Sequence, residues 1–138
     1  MKEEKLFLHL GSIMKKIRRM MDKELYFLGI THTEMRLLML IYNAEGTTQE
    51  EISSRIEIDR SNASRSLKKL ENMDYIKRVK DEQDSRTYRI LVTEKGWEIR
   101  KQIFEAKEKI RDRFVKGIDE EEVEILVALL EKIDRNLG

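Results

Sequence analysis

A single pair of β-rich runs, YIKRVK at residues 75–80 and TYRILV at residues 87–92, interrupts a sequence that is otherwise patterned as helix. Branched and aromatic residues favour strands, and the polar loop DEQDSR between the runs is typical of a hairpin. The 138 residues contain no proline to break the flanking helices. The sequence therefore predicts one mainly α domain with a small β-hairpin.

The first segment carries apolar residues at helical spacing from Leu6 to Leu28. They predict one long helix over roughly residues 3–28, which Gly29 ends. Its apolar face is broader than one packing partner requires, so we expect part of it to contact a second subunit. Basic pairs interrupt the segment, and no uncharged run approaches the length of about 18 residues that spans a bilayer. This pattern favours a soluble, cytoplasmic protein without a membrane partner.

Two capping patterns mark the next helices. Thr31 with Glu34 precedes the apolar run MRLLMLIY, and Thr48 with Glu51 precedes a short helix. The short helix is followed by the residues EIDR and then by a further helix, which has the form of a helix-turn-helix.

The helix after EIDR begins at the capping residue Asp59 and is predicted to run from Arg60 to Met73. Its helical period places Ala63, Leu67 and Leu70 on one buried face. Short polar groups and cations on the opposite face suit a recognition helix, in which short residues and arginine reach base edges and lysines contact phosphates. The candidate DNA-binding residues on this helix are Ser61, Asn62, Ser64, Arg65, Lys68 and Lys69.

Two helices are predicted after the hairpin. Thr93 caps a long helix that carries apolar residues from Trp97 to Phe114 and ends at Gly117. Asp119 with Glu122 opens the last helix. That helix keeps a three-and-four spacing typical of a coiled-coil seam, formed by Val123, Leu126, Leu130, Ile133 and Leu137.

The net charge of +1 conceals a strong segregation of charge. Residues 60–80 contain seven Lys and Arg against two acids, a net charge of +5, whereas residues 117–138 contain seven acids against two cations, a net charge of −5. A cationic face of this kind is typical of a protein that binds a polyanion. The alternative is that both segments are ordinary solvated faces.

Catalysis and cofactor chemistry lack support in the sequence. The chain has no cysteine, which excludes a disulfide framework, a thiolate metal site and a thiol-based redox sensor. No glycine-rich phosphate loop or Ser/His/Asp arrangement is found, and the carboxylates are spread over helix faces. We expect a protein that is not an enzyme and has no cofactor and no metal site.

The run from Asp84 to Gly96, DSRTYRILVTEKG, resembles the wing signature of MarR-family transcription regulators, in which Asp-x-Arg precedes an aliphatic strand, a Leu-Thr pair and a glycine. The preceding YIKR matches that family's entry into the wing, and the order of helices matches along essentially the whole chain. Two positions depart from the family pattern. Val92 replaces the usual leucine, and Asp74 stands where glycine is common.

The resemblance implies that Arg86 enters the minor groove of double-stranded DNA and that Asp84 fixes its direction. A guanidinium gains from the enhanced negative potential of a narrow minor groove, and a neighbouring carboxylate orders a flexible side chain. Ser61, Asn62 and Arg65 would then read the major groove. The remaining candidate DNA contacts around the hairpin are Arg78, Lys80 and Arg89.

The resemblance also implies a winged helix-turn-helix lobe at residues 30–93 and helical dimerisation segments at residues 1–29 and 94–138. We expect a homodimeric repressor that binds a pseudo-palindromic operator, because a protein dimer with two-fold symmetry binds two half-sites that are related by the same symmetry. A small aromatic or anionic effector would bind between the dimer helices and the lobe. Its candidate contacts are His9, Ile13, Met14, Ile17, His32 and Arg36.

Two other functions remain open from the sequence. A winged-helix module that binds proteins would have no need of so many cations around the hairpin. An architectural DNA binder without an effector would bind many sequences with similar affinity.

Overall fold

The computed structural model describes residues 1–56 and 58–138; Glu57, which belongs to the predicted EIDR turn, lies outside the described residues. The fold is mainly helical with a small antiparallel sheet, which confirms the predicted fold class. The helices are α1 Lys2–Leu25 with a 3₁₀ turn at Tyr26–Leu28, α2 His32–Asn43, α3 Gln49–Ile56, α4 Arg60–Asn72, α5 Glu94–Glu98, α6 Arg100–Phe114 and α7 Glu120–Leu137. The strands are β1 Thr47–Thr48, β2 Ile76–Lys80 and β3 Tyr88–Val92.

The predicted helix caps are present. Thr48 Oγ1 accepts a hydrogen bond from the Glu51 backbone N–H, and the Glu51 carboxylate accepts one from the Thr48 N–H, each at 3.3 Å. Asp119 and Glu122 form the same reciprocal pair at 2.8 and 3.2 Å. Because these bonds use donors that a helix start leaves unpaired, they fix where α3 and α7 begin.

The hairpin forms as predicted, but it is part of a larger sheet. β2 and β3 pair antiparallel with Arg78 opposite Ile90, and β1 pairs with the other edge of β3, where Thr47 lies opposite Ile90. β1 is not among the strands that the sequence predicts. A strand of two residues is too short to show an alternating pattern, and its partner lies far along the chain.

The prediction of a single long helix after Thr93 is wrong in one respect, because the helix is divided at Ile99 into α5 and α6. The backbone of Ile99 has φ −80° and ψ −7°, away from regular α-helix, and its side chain is buried. Gly96 allows α5 to lie close to the sheet, because a Cβ at this position would lie only 2.1 Å from the Tyr75 carbonyl oxygen. The division therefore lies next to the place where α5 packs against Tyr75, the residue before β2, and against Val92 of β3.

The core lies between α2, α4 and the sheet. Its fully buried side chains include Leu37, Leu38, Ile41, Leu67 and Leu70, and the second half of α1 and the middle of α6 close it from the other side. Where the resemblance leads us to expect glycine after α4, Asp74 has a φ of 63°. A non-glycine residue in this left-handed region is strained, so the turn from α4 to β2 carries a modest energetic cost.

The terminal helices contrast with this core. α7 has no buried residue, and Leu6, Phe7, Leu8 and Met14 of α1 are exposed. In the described part of the chain, no helix combines the length and the apolar character needed to cross a membrane.

Candidate nucleic-acid interface

The polar face of α4 is fully available at the surface of the lobe. Ala63, Leu67 and Leu70 are 0% exposed, which turns the other side of the helix outward. The exposed side chains on that side include five predicted DNA contacts, namely Ser61, Asn62, Ser64, Arg65 and Lys68.

Hydrogen bonds within the protein hold two of these residues in place without DNA. The Asp59 carboxylate accepts hydrogen bonds from the Asn62 backbone N–H and from Asn62 Nδ2, both at 2.8 Å. Asn62 Oδ1 in turn accepts a hydrogen bond from Arg65 Nη2. This chain holds the amide and the guanidinium side by side at the start of α4, where a recognition helix meets base edges.

The wing turn is closed by Asp84. Its carboxylate accepts hydrogen bonds from the Arg86 backbone N–H at 3.0 Å, from the Thr87 hydroxyl at 3.2 Å and from Arg86 Nε at 3.5 Å. The Arg86 N–H and the Thr87 hydroxyl lower the pKa of Asp84, so the group is a carboxylate at neutral pH. The Arg86 side chain is 91% exposed and projects from the turn, and Lys80 at the end of β2 is also exposed.

Two other predicted contacts are tied to the body of the lobe. Arg78 donates to Gln49 Oε1 at 3.4 Å, and its Nε lies 3.7 Å from the Glu71 carboxylate. Arg89 donates to the Gly46 carbonyl at 3.1 Å. These bonds attach the hairpin to α3, α4 and the turn before β1, so both arginines contribute to the position of the wing.

Lys69 is placed differently from its neighbours on α4. Its Nζ lies 2.5 Å from Oε1 of Glu34, a carboxylate that is only 5% exposed at the start of α2. A buried carboxylate requires a compensating charge, which Lys69 supplies. Lys69 therefore joins α4 to α2, while its side chain stays 48% exposed.

A second concave site lies where α1, α2 and α6 meet. It has a volume of about 290 Å³ and a mostly apolar lining. Of the six predicted effector contacts, Ile17 and His32 line it, whereas His9, Ile13, Met14 and Arg36 do not. The full lining is Ile17, Met21, His32, Met35, Lys107, Ile110, Arg111 and Phe114.

Half of this lining comes from α6, a helix for which the sequence predicted no effector contact. The one available signal was the helical spacing of Lys107, Arg111 and Phe114, which places two cations and an aromatic ring on one face of α6. Only the packing of α6 against α1 and α2 turns that face into the wall of a cavity.

His32 sits at the edge of this cavity. Its backbone N–H donates to Asp22 of α1 at 2.6 Å. Burial lowers the pKa of the imidazole, the positive charges of Arg36 and Arg18 lower it further, and Asp22 opposes them. His32 is therefore neutral at pH 7, which leaves Lys107 and Arg111 as the charges of the cavity. Within residues 1–56 and 58–138, no three His, Cys, Asp or Glu side chains are grouped to hold a metal ion.

Comparisons with known proteins agree with this geometry. Residues 30–88 match the sequence model of the MarR family. YybA of Bacillus subtilis strain 168, an uncharacterized HTH-type transcriptional regulator, is 29% identical over 128 residues, which are 93% of this chain and 85% of YybA. The crystal structure of MarR superposes with a TM-score of 0.84 at 25% identity, over 96% of each chain. FabT of Streptococcus pneumoniae, crystallised in complex with DNA, gives a TM-score of 0.83 at 25% identity, over 98% of this chain and 96% of FabT.

Proposed function

The chain belongs to the MarR family of DNA-binding transcription regulators, and on that premise we propose that it is a repressor that binds a pseudo-palindromic operator as a homodimer and is released by a small ligand. The members of this family are transcription regulators rather than enzymes. The observation that carries the proposal is the exposed Arg86, held by Asp84 on a wing that stands beside the open polar face of α4.

DNA recognition is divided between the helix and the wing. Asn62 and Arg65, ordered by Asp59, read base edges in the major groove together with Ser61. Arg86 enters the adjacent minor groove, where the negative potential favours a guanidinium. Ser64, Lys68 and Lys80 contact the DNA backbone, and these contacts position the protein without reading the base sequence.

Dimerisation is supported by the apolar surface of the terminal helices. The seam residues Leu126 and Leu130 of α7 are exposed, and so are Phe7 and Met14 of α1. Apolar patches of this extent on a single chain mark a protein interface. We therefore assign residues 30–93 to the DNA-binding lobe, and residues 1–29 and 94–138 to the dimerisation region.

Release by a ligand is supported by the cavity between α1, α2 and α6. Its walls are apolar, with Lys107 and Arg111 as the charged groups, so it suits an aromatic or otherwise apolar molecule that carries one negative charge. The cavity borders the first turn of α2, which is tied to α4 through Glu34 and Lys69. A ligand that moves this turn would change the position of the recognition helix, and with it the affinity for the operator.

The test is selection of bound sequences from a random duplex pool, run in parallel with the wild type, Arg86→Ala and the control Arg113→Ala on the exposed surface of α6. We expect the wild type and the control to enrich the same pseudo-palindrome. Arg86→Ala should bind it about tenfold or more weakly, mainly where A·T-rich steps narrow the minor groove.

Enrichment of nothing over bulk duplex by the wild type would contradict specific regulation. A protein-interaction module or an architectural DNA binder would then replace the proposal. Enrichment of an asymmetric single site would contradict the homodimer while leaving specific binding intact.

A further inference from the structure

The first turn of α2 lies between the apolar cavity and the recognition helix. His32 and Met35 of this turn line the cavity. Glu34 lies between them in the sequence, and the helical period directs its side chain away from His32. Its carboxylate meets Lys69 of α4. One turn of helix therefore contacts the cavity on one side and α4 on the other.

Hydrogen bonds fix this turn so that it moves as a unit. The Asp22 carboxylate of α1 accepts the His32 backbone N–H at 2.6 Å. The Thr31 hydroxyl, at the helix cap, donates to Glu34 Oε2 and so sets the direction of that carboxylate. A displacement of the turn by a molecule in the cavity therefore carries the Glu34 carboxylate with it.

The ion pair between Glu34 and Lys69 transfers such a displacement to α4, and we call it the α2–α4 bridge. Glu34 Oε1 is inaccessible to water, and among the described residues its one polar partner is the Lys69 ammonium, with Nζ 2.5 Å away. A buried carboxylate that loses its partner is strongly destabilised, because water cannot replace the lost charge. Lys69 must therefore follow Glu34 when α2 moves.

The bridge ends on the part of α4 to which base reading is assigned. Lys69 lies four residues after Arg65 and seven after Asn62, a spacing that places all three on one side of the helix. Asn62 and Arg65 are themselves joined by a hydrogen bond. A pull on Lys69 therefore acts on the stripe that carries both base-reading side chains.

We propose that the α2–α4 bridge is the regulatory connection between the cavity and the recognition helix. A molecule that fills the cavity displaces the first turn of α2, and the bridge carries the displacement to Asn62 and Arg65. Glu34 and Lys69 act as positioning residues in this step. The proposal rests on the proposed function, because it requires both operator binding by α4 and release from the cavity.

The connection can be tested without knowing the natural ligand, because a larger side chain can fill the cavity. Ile17→Trp adds an indole ring from the α1 wall, and it should weaken operator binding about tenfold, within the usual range of coupling between two sites. Phe114→Trp enlarges the α6 wall and serves if Ile17→Trp lacks the circular dichroism of the wild type. Fluorescence anisotropy measures the affinity, and sedimentation checks that the oligomeric state is that of the wild type.

The same substitution is then made in a chain whose bridge is neutral, Glu34→Gln with Lys69→Gln. Changing both partners avoids the unpaired buried charge that either single change to the pair could leave, so this chain should fold. Filling its cavity should weaken operator binding by less than about threefold, below the usual range of coupling. Each ratio compares filled and unfilled cavities in one background, so any direct contribution of Lys69 to DNA affinity cancels.

The matched control neutralises a different ion pair of α4, Glu50→Gln with Arg60→Gln. This pair joins α3 to α4 at 3.6 Å and is largely exposed on both sides. It has no contact with the first turn of α2, so the loss of about tenfold on filling the cavity should persist in this background. Loss of the effect here as well would remove the specific role of the bridge.

Three further outcomes count against the proposal and separate it from its premise. An equal loss with and without the bridge would mean that apolar packing of α2 on α4 makes the connection, and release by a ligand would stand. Unchanged operator binding with either filled cavity would overturn both the bridge and ligand release but leave operator binding intact. Absence of specific binding by the wild type would remove the proposed function itself.

Discussion

Two helices of this chain, α4 and α7, follow the same local rules and meet opposite surroundings. Each begins at an aspartate, Asp59 or Asp119, whose carboxylate accepts the backbone N–H three residues on at 2.8 Å, and each carries an apolar stripe at helical spacing. α4 buries that stripe against α2 and the sheet, whereas α7 buries no residue at all.

The difference teaches which face of each helix is left for an external partner. In α4 the apolar face is satisfied within one chain, so the polar face is the one that remains for DNA. In α7 the polar face is already solvated, and the apolar face is the one that lacks contacts. The comparison therefore predicts that substitutions on the apolar face of α7 weaken dimerisation. Substitutions on the apolar face of α4 should destabilise the fold, and substitutions on its polar face should weaken DNA binding.

The largest expected effect comes from Leu126→Glu with Leu130→Glu on the seam of α7. Burying two carboxylates in an apolar interface costs several kcal/mol, so self-association should weaken by about a thousandfold or more. Sedimentation velocity at micromolar concentration should show a monomer whose lobe retains its helical circular dichroism.

The control for this variant is Ala128→Glu with Arg135→Glu, which adds negative charge on the side of α7 opposite Leu126 and Leu130 and should remain dimeric. If the seam variant sediments like the wild type, the apolar face of α7 does not form the interface. If the wild type is a monomer and still binds its operator tightly, the expectation that a two-fold symmetric homodimer binds a pseudo-palindromic operator is wrong.

The second effect concerns the apolar face of α4. Leu67 is 0% exposed, and Leu67→Ala should lower the free energy of unfolding by about 3 kcal/mol through lost burial and the cavity that remains. Urea denaturation at two protein concentrations distinguishes the two helices. The loss for Leu67→Ala should not depend on concentration, in contrast to the loss for the seam variant. A loss below about 1 kcal/mol would mean that this face is not part of the core.

The features that the sequence predicted correctly are those with a local signature. The caps at Thr48 and Asp119, the buried stripe of α4 and the hairpin all follow from residues a few positions apart, and hydrogen bonds or periodicity over such distances are visible in the sequence. The family-level wing motif supplied Asp84 and Arg86, whose pairing in the structure matches the expected geometry.

The features that the sequence did not predict depend on contacts between distant segments. β1 exists only because β3 pairs with it, and the division at Ile99 lies beside the close approach of Gly96 to the Tyr75 carbonyl oxygen. The ion pair of Lys69 with the buried Glu34, 2.5 Å long, likewise joins α4 to a separate helix, α2. In each case the contact links segments that local sequence patterns do not connect.

The smallest effect tests the polar faces of the same two helices. Lys68 is exposed on α4, so Lys68→Ala should weaken all duplexes alike by a few-fold and reduce the salt slope by about 0.9, while stability stays within about 0.5 kcal/mol of the wild type. Its counterpart Lys132→Ala on α7 should change neither affinity nor slope. Titrations of operator and non-operator duplexes over a range of salt concentrations measure both quantities. A loss confined to one base position would make Lys68 a base-reading residue, and an equal loss from Lys132→Ala would mean that the polar face of α7 also meets DNA.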